Sequence, residues 1–190
     1  YLRSIYIPEG VEHIGNHAAC ECPNLSSLHL PNSVKTIGKS AFSECYELSS
    51  LVLSSGLKEI PEAGFASCGL VNLNVPEGVE RLCKDSFGKN KKLKKVSLPK
   101  TLKKIDRGVF YECLSLVKIT IPEHVTEMGD YVFLHCPKLT DVYNLAPVPQ
   151  DCNEILATPK VRVHVPAASL EAYKKHPLWG EQVLVPIATH

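Results

Sequence analysis

A unit of 23 residues recurs along this chain, and that recurrence restricts its fold more than any other feature. The stretch from Leu28 to Ser50, LHLPNSVKTIGKSAFSECYELSS, aligns column for column with the one that begins at Ile5, IYIPEGVEHIGNHAACECPNLSS. Further copies begin at Leu51, Leu73, Val96 and Ile119, and only the copy from Leu51 departs in length, by one residue fewer. Self-similarity at a fixed period of this size marks a stack of coils, each too small to bury its apolar face alone. Ordering the backbone of one coil costs more than its own apolar side chains return, so neighbours must share an interior.

The columns show how a coil is built. The first holds Ile5, Leu28, Leu51, Leu73, Val96 and Ile119; the third holds Ile7, Leu30, Leu53, Val75, Leu98 and Ile121. This alternation is the period-2 signal of a short, half-buried strand. A leucine three residues ahead of the first column recurs as Leu25, Leu48, Leu70, Leu93, Leu116 and Leu139. Together they spell the L-x-x-L-x-L pattern of leucine-rich repeats. Pro8, Pro31, Pro76, Pro99 and Pro122 follow the strand, with Ser54 in the remaining copy; proline lacks the N–H a ladder needs and turns the chain. A second apolar pair, three apart, runs Val11/Ile14, Val34/Ile37, Leu57/Ile60, Val79/Leu82, Leu102/Ile105 and Val125/Met128. All five phenylalanines fall in one column, Phe42, Phe65, Phe87, Phe110 and Phe133, with Ala19 in the first copy. One large slot per coil, facing one way, predicts an aromatic spine in the interior. The expected fold is a leucine-rich-repeat solenoid of six coils, with one parallel β-sheet at about 4.8 Å per strand, short helical turns and a C-terminal cap.

The boundaries follow from where the columns fail. Residues 1–141 read as repeats. The start is incomplete, because Leu2-Arg3-Ser4 occupies the last columns of an earlier unit and Tyr1 stands where an initiator Met does not. More chain is therefore expected upstream. Residues 142–190 read as a divergent last coil and cap: Pro147, Pro149 and Pro159 replace the regular pattern, and Val161, Val163 and Val165 supply a last alternating strand. Ser169 is placed to cap a short helix through Leu170, Ala172 and Tyr173 that ends before Pro177, with Trp179 helping to cover the open apolar end.

At the residues L-x-x-L-x-L-P…V-x-x-I-G-x-x-A-F-x-x-C, the units resemble the BspA-like leucine-rich repeats of bacterial surface proteins, best in LSSLHLPNSVKTIGKSAFSEC from Leu25 to Cys45. The resemblance covers roughly Leu2 to Asp141, and the tail VRVHVPAASLEAYKKHPLWGE is similar to the closing segment of gut Bacteroides members. It implies an exported, cell-surface protein engaged in adhesion and host-protein binding, with a protein or glycan partner. It brings no ligand-binding motif that transfers residue by residue. Departures from the pattern are Ser54 for Pro, Asn90 for Cys, Cys83 and Asp106 where Gly is usual, and the shortened third copy, which is expected to bend the stack locally.

Among eight cysteines, Cys22, Cys45, Cys68, Cys113 and Cys136 share one column, with Asn90 in the sixth place. Side chains stacked at about 4.8 Å project in parallel, wider than disulfide geometry allows, and a row does not converge as zinc ligands must. Asn can do no thiolate chemistry, yet shares with Cys a modest size and the capacity to meet buried backbone groups. The column reads as a structural ladder of reduced thiols. Cys20, Cys83 and Cys152 lie outside it, and a disulfide among these three stays open. His13 and His17 are four apart but are read as surface residues on a loop, since no H-E-x-x-H pattern surrounds them. The remaining histidines, His29, His124, His135, His164, His176 and His190, form no motif. Nor is there a G-x-S-x-G, a P-loop or a repeated carboxylate pair, so neither an enzyme nor a cofactor is expected.

Binding is expected instead on the outward strand positions: Ser27, His29, Ser50, Val52, Asn72, Asn74, Lys95, Ser97, Lys118, Thr120, Asp141 and Tyr143. Near them, Lys91, Lys92, Lys94, Lys95, Lys100, Lys103, Lys104 and Arg107 form a locally basic run suited to an acidic protein, a sulfated glycan or anionic lipopolysaccharide. A net charge of only +1 argues against nucleic acid as partner, and no apolar run is long enough to span a membrane. The reading is a monomeric, non-catalytic scaffold that binds protein or glycan, with a ligand-free spacer as the alternative.

Overall fold

The computed structural model describes residues 2–156 and 160–188; Tyr1, Pro159 and His190 lie outside them. Each repeat is one turn of a solenoid with three sides. Strands are numbered along the chain. The first side carries β1 (Ser4–Ile5), β3 (Ser27–His29), β5 (Ser50–Val52), β7 (Asn72–Asn74), β9 (Lys95–Ser97), β11 (Lys118–Ile121) and β13 (Asp141–Asn144), then β14 (Arg162–Pro166) and β15 (Val183–Ile187). All pairings are parallel, and equivalent columns face each other, as Leu28 faces Leu51 and Ile119 faces Val142.

The expected single sheet is interrupted. Ladders join β1-β3-β5, β7-β9 and β11-β13-β14-β15, with a break at each junction. The first break coincides with the short repeat. Its missing residue is located at Gly69, where an added Cβ would collide with the Tyr46 carbonyl oxygen. Across the second break, Lys95 and Lys118 hold the same column. At both breaks the inward residue of the preceding strand, Leu51 or Val96, is only partly buried, whereas Leu28, Leu73 and Ile119 are fully inside.

The structure adds a second row of two-residue strands that the sequence pattern does not predict. These are β2 (His13–Ile14), β4 (Thr36–Ile37), β6 (Glu59–Ile60), β8 (Arg81–Leu82), β10 (Lys104–Ile105) and β12 (Glu127–Met128). They pair as β2-β4 and β6-β8-β10-β12, with the Ile/Leu/Met of each pair inward. His13 accordingly sits in a strand rather than a loop.

The third side replaces the expected helical turns. Two residues per coil adopt left-handed backbone: His17, Ser40, Ala63, Asp85, Gly108 and Tyr131 in one column, and Glu21, Glu44, Ser67, Lys89, Glu112 and His135 in another. The N–H groups of these residues and of the one midway between them point along the stack and donate to the next coil: His17 to Lys39 O (2.9 Å), Ala19 to Ala41 O (2.7 Å) and Glu21 to Ser43 O (2.9 Å), a triplet repeated in later coils. Backbone polarity is thus satisfied between coils instead of within a helix.

The interior is one continuous cluster. Phe42, Phe65, Phe87, Phe110 and Phe133 are buried and stack at 5.5, 5.8, 6.2 and 6.0 Å between ring centres, with planes within 13° of each other. Ser54, replacing proline, is buried; its hydroxyl donates to Val34 O at 2.6 Å and accepts from Gly56 N–H. At the far end, α1 (Leu170–Lys175) and the short 3-10 turn Trp179–Glu181 bring Tyr173 and Trp179, both fully buried, into the same cluster. Their polar tips are paired: Trp179 Nε1 donates to Gln150 O (3.1 Å) and Tyr173 OH to Ala146 O (2.9 Å). Ser169 does precede α1, but its side chain caps nothing. A 3-10 turn, Ala167–Ser169, leads into the helix and leaves Ser169 already in right-handed helical backbone. No helix among the described residues is long and apolar enough to cross a membrane.

Candidate binding face

The pleat of the first-side strands turns alternate residues outward, so the twelve sequence-predicted positions share one face. Ser27, His29, Ser50, Val52, Asn72, Asn74, Lys95, Ser97, Lys118 and Thr120 are exposed; Asp141 and Tyr143 are half-buried. Strand register sets them in rows: Ser27 beside Ser50, Asn72 beside Lys95, Lys118 beside Asp141, Thr120 beside Tyr143.

The face continues one strand beyond the twelve predicted positions. Arg162 and His164 of β14 lie in register with Asp141 and Tyr143. The signal was present, since an inward Val161/Val163/Val165 alternation forces the residues between them outward. Asp141 accepts from Arg162 Nη2 (2.7 Å), His164 Nε2 (2.7 Å) and Thr140 Oγ1 (2.8 Å). With Arg162 foremost, these donors hold its carboxyl well below the usual carboxylate range. The His164 and Tyr143 rings stack at 4.1 Å. Five side chains, Thr140 included, are thereby fixed in place.

Next to this cluster the broken ladder between β9 and β11 opens a groove of about 400 Å³, lined by Lys94, Lys95, Val96, Lys118, Ile119, Thr120 and Tyr143. Among the described residues, Lys94, Lys95 and Lys118 have no carboxylate within 4 Å. The rest of the basic run is scattered. Lys91 and Lys92 lie on the turn before β9; Lys103 and Lys104 lie by the second-side strands, paired with Glu80 (2.8 Å) and Glu127 (2.6 Å). Lys100 donates its backbone N–H to Glu77. Arg107 belongs to the third side, 4.8 Å above the Tyr131 ring. Seventeen residues of chain wrap most of one coil, so neighbours in sequence are dealt onto three sides.

The cysteine column has a consistent hydrogen-bond geometry. Cys45 Sγ donates to Ala19 O (3.3 Å), Cys68 to Phe42 O (3.1 Å), Cys113 to Phe87 O (3.6 Å) and Cys136 to Phe110 O (3.1 Å). Each acceptor is 26 residues earlier, in the phenylalanine column. Asn90 reaches the same acceptor, Phe65 O, at 2.8 Å and 25 residues back, the difference being the residue missing at Gly69. All eight cysteines are free, Cys20, Cys83 and Cys152 included. Burial raises the Cys113 thiol strongly and pushes Cys136 up to about 12, which disfavours the nucleophilic thiolate. His13 Nδ1 meets Thr36 Oγ1 at 2.7 Å, and among the described residues no three His, Cys, Asp or Glu side chains converge for a metal.

The BspA type leucine rich repeat region, as a family model, matches residues 1–69 and 58–155 in six copies. The chain belongs to this BspA-type family. Solved structures agree on the fold of this BspA-type chain. A leucine-rich cell surface protein from Faecalibacterium prausnitzii is 35% identical over 60% of the chain, with a TM-score of 0.58. A leucine-rich repeat protein from Bacteroides ovatus is 26% identical over 86% of the chain and 55% of its own, at a TM-score of 0.57. The T. pallidum leucine-rich repeat protein shares the fold across 98% of this chain and 87% of its own, with a TM-score of 0.70 at 24% identity. The BspA-type chain spans only 30% of the length of the Faecalibacterium protein. A search among curated proteins finds no match.

Proposed function

We propose that this chain is a partner-binding stretch of an exported bacterial surface protein, and that an anionic protein or glycan docks on its strand-lined face over the opening between β9 and β11. The observation that carries the reading is the set of three cations without an ion-pair partner among the described residues, Lys94, Lys95 and Lys118, beside the held Tyr143 ring. Unpaired cations around an aromatic anchor suit an acidic partner, and the field they create speeds its approach. The resemblance to a cell-surface protein supports the compartment. On this reading the chain acts as a non-catalytic monomer without cofactor, and residues 142–190 close one end of the stack.

The test is binding to immobilised heparin and to host matrix proteins at low salt, with the wild type set against Lys94→Glu/Lys95→Glu/Lys118→Glu. The expected outcome is at least tenfold weaker binding by the variant and a wild-type signal that falls as salt rises. Equal binding by the two proteins overturns the opening as the site. The sparse, small side chains of the first coils' outer face, Ser27, Ser50 and Asn72, favour the second reading, a spacer without a ligand. Failure of both proteins to bind any of the probes supports it.

A further inference from the structure

The third side of the stack, opposite in character to the strand-lined face, carries two adjoining hollows. One, of about 500 Å³, is lined by Lys84, Asp85, Arg107, Gly108, Tyr111, Tyr131 and Leu134. The other, of about 360 Å³, lies over Ala63, Ala66, Ser67 and Gly88, with Asp85, Lys89 and Tyr111 at its rim. They share Asp85 and Tyr111. The repeat columns explain the relief. The position that holds Ala66 and Gly88 in the third and fourth coils holds Tyr111 in the fifth, so one ring stands up beside a recessed floor. Gly108 contributes to the same end: it is the one glycine in its left-handed column, and a Cβ there would overlap the Asp85 carboxylate.

The rim chemistry is specific. Tyr111 is braced edge-on by His135, with ring centres 5.5 Å apart. Arg107 lies 4.8 Å over Tyr131, and among the described residues it has no carboxylate within 4 Å. A guanidinium stacked on an aromatic face keeps its N–H edge free, in the geometry that matches a carboxylate bidentately. Lys89 adds a cation to the second hollow, while Asp85 lies between the two, 4.0 Å from Lys84 Nζ, with oxygen left to accept from hydroxyl groups. An aromatic wall beside a planar, unpaired cation suits a pyranose ring that bears both C–H faces and a carboxylate.

We propose that this groove binds two consecutive residues of a carboxylated polysaccharide, a uronate chain lying along the stack axis. Tyr111 stacks on a sugar face, Arg107 and Lys89 each take a carboxylate, and Asp85 accepts from a hydroxyl. This site is separate from the opening between β9 and β11 and does not rest on that reading.

The test is calorimetric or NMR titration of the intact chain with an oligogalacturonide and with its methyl ester, which keeps the rings and removes the charge. The acid form should bind and the ester should bind at least tenfold more weakly. Tyr111→Ala and Arg107→Gln should each lose at least tenfold; Tyr111 is half-buried and Arg107 exposed, and circular dichroism checks that both variants fold. Lys94→Glu/Lys95→Glu/Lys118→Glu should bind as wild type, which separates this site from the other. Equal affinity for acid and ester, no binding of either at millimolar concentration, or indifference to both groove variants would overturn the proposal.

Discussion

Replacing Asn90 tests what the cysteine column is for. Asn90 is fully buried; its Nδ2 donates at 2.8 Å to both Phe65 O and Phe87 O, while its Oδ1 has no partner. In Asn90→Ala the Phe65 carbonyl loses its side-chain donor and is left buried, a cost of about 1–3 kcal/mol. Phe87 O still accepts from Cys113, though at 3.6 Å, so its loss is smaller. The small cavity adds to the cost and removal of the unpaired Oδ1 offsets part of it. A net destabilisation of about 2 kcal/mol is expected, or roughly 4–8 °C in Tm for a chain of this size. Asn90→Cys restores a thiol that can reach Phe65 O as Cys68 reaches Phe42 O at 3.1 Å. It forfeits the amide's second bond and also its orphaned oxygen, and should melt within about 1 kcal/mol of the wild type. Thermal unfolding followed by circular dichroism under reducing conditions reads all three proteins. An alanine variant as stable as wild type, or a cysteine variant as damaged as alanine, would refute the idea that this column exists to satisfy the carbonyls of the preceding coil.

Two further outcomes follow from the packing and the charges. The Asp141 carboxyl is held below its usual range by Arg162, His164 and Thr140, so its stabilising contribution is fully present above the unfolded carboxylate value of about 3.9 and drains away as pH falls below it. The Tm gap between wild type and Asp141→Asn should therefore be widest near neutrality and close below about pH 4; a gap independent of pH would contradict the cluster. Gly69→Ala drives a methyl group against the Tyr46 carbonyl at the short repeat and should cost about 1–3 kcal/mol in urea unfolding, and a neutral result would mean the corner has room.

What the residues announced was whatever repeats as a residue type. The phenylalanine column, the L-x-L alternation and the inward Val161/Val163/Val165 set all encode direction in chemistry, and packing leaves them no alternative. The left-handed columns were silent for the opposite reason. His17, Ser40, Ala63 and Asp85 share a backbone shape and nothing else, because that shape is imposed by N–H groups reaching for the next coil. The second-row strands hid behind their shortness, since two residues cannot show a period. The basic run misled by closeness in sequence: Lys95, Lys104 and Arg107 stand on three different sides. Arg162 and His164 are legible, being the outward halves of the Val161/Val163/Val165 alternation.

The last strand, β15, sets a rule for what can join the stack. Val183 donates its N–H to Val161 O at 3.1 Å, and the alternation of a parallel ladder then sends Val185 and Ile187 toward β14 as well. Leu184 and Pro186 are the residues facing away, and proline carries no hydrogen to give. That rim therefore offers an arriving strand a single amide donor within β15, which discourages end-to-end polymerisation into fibrils at this edge.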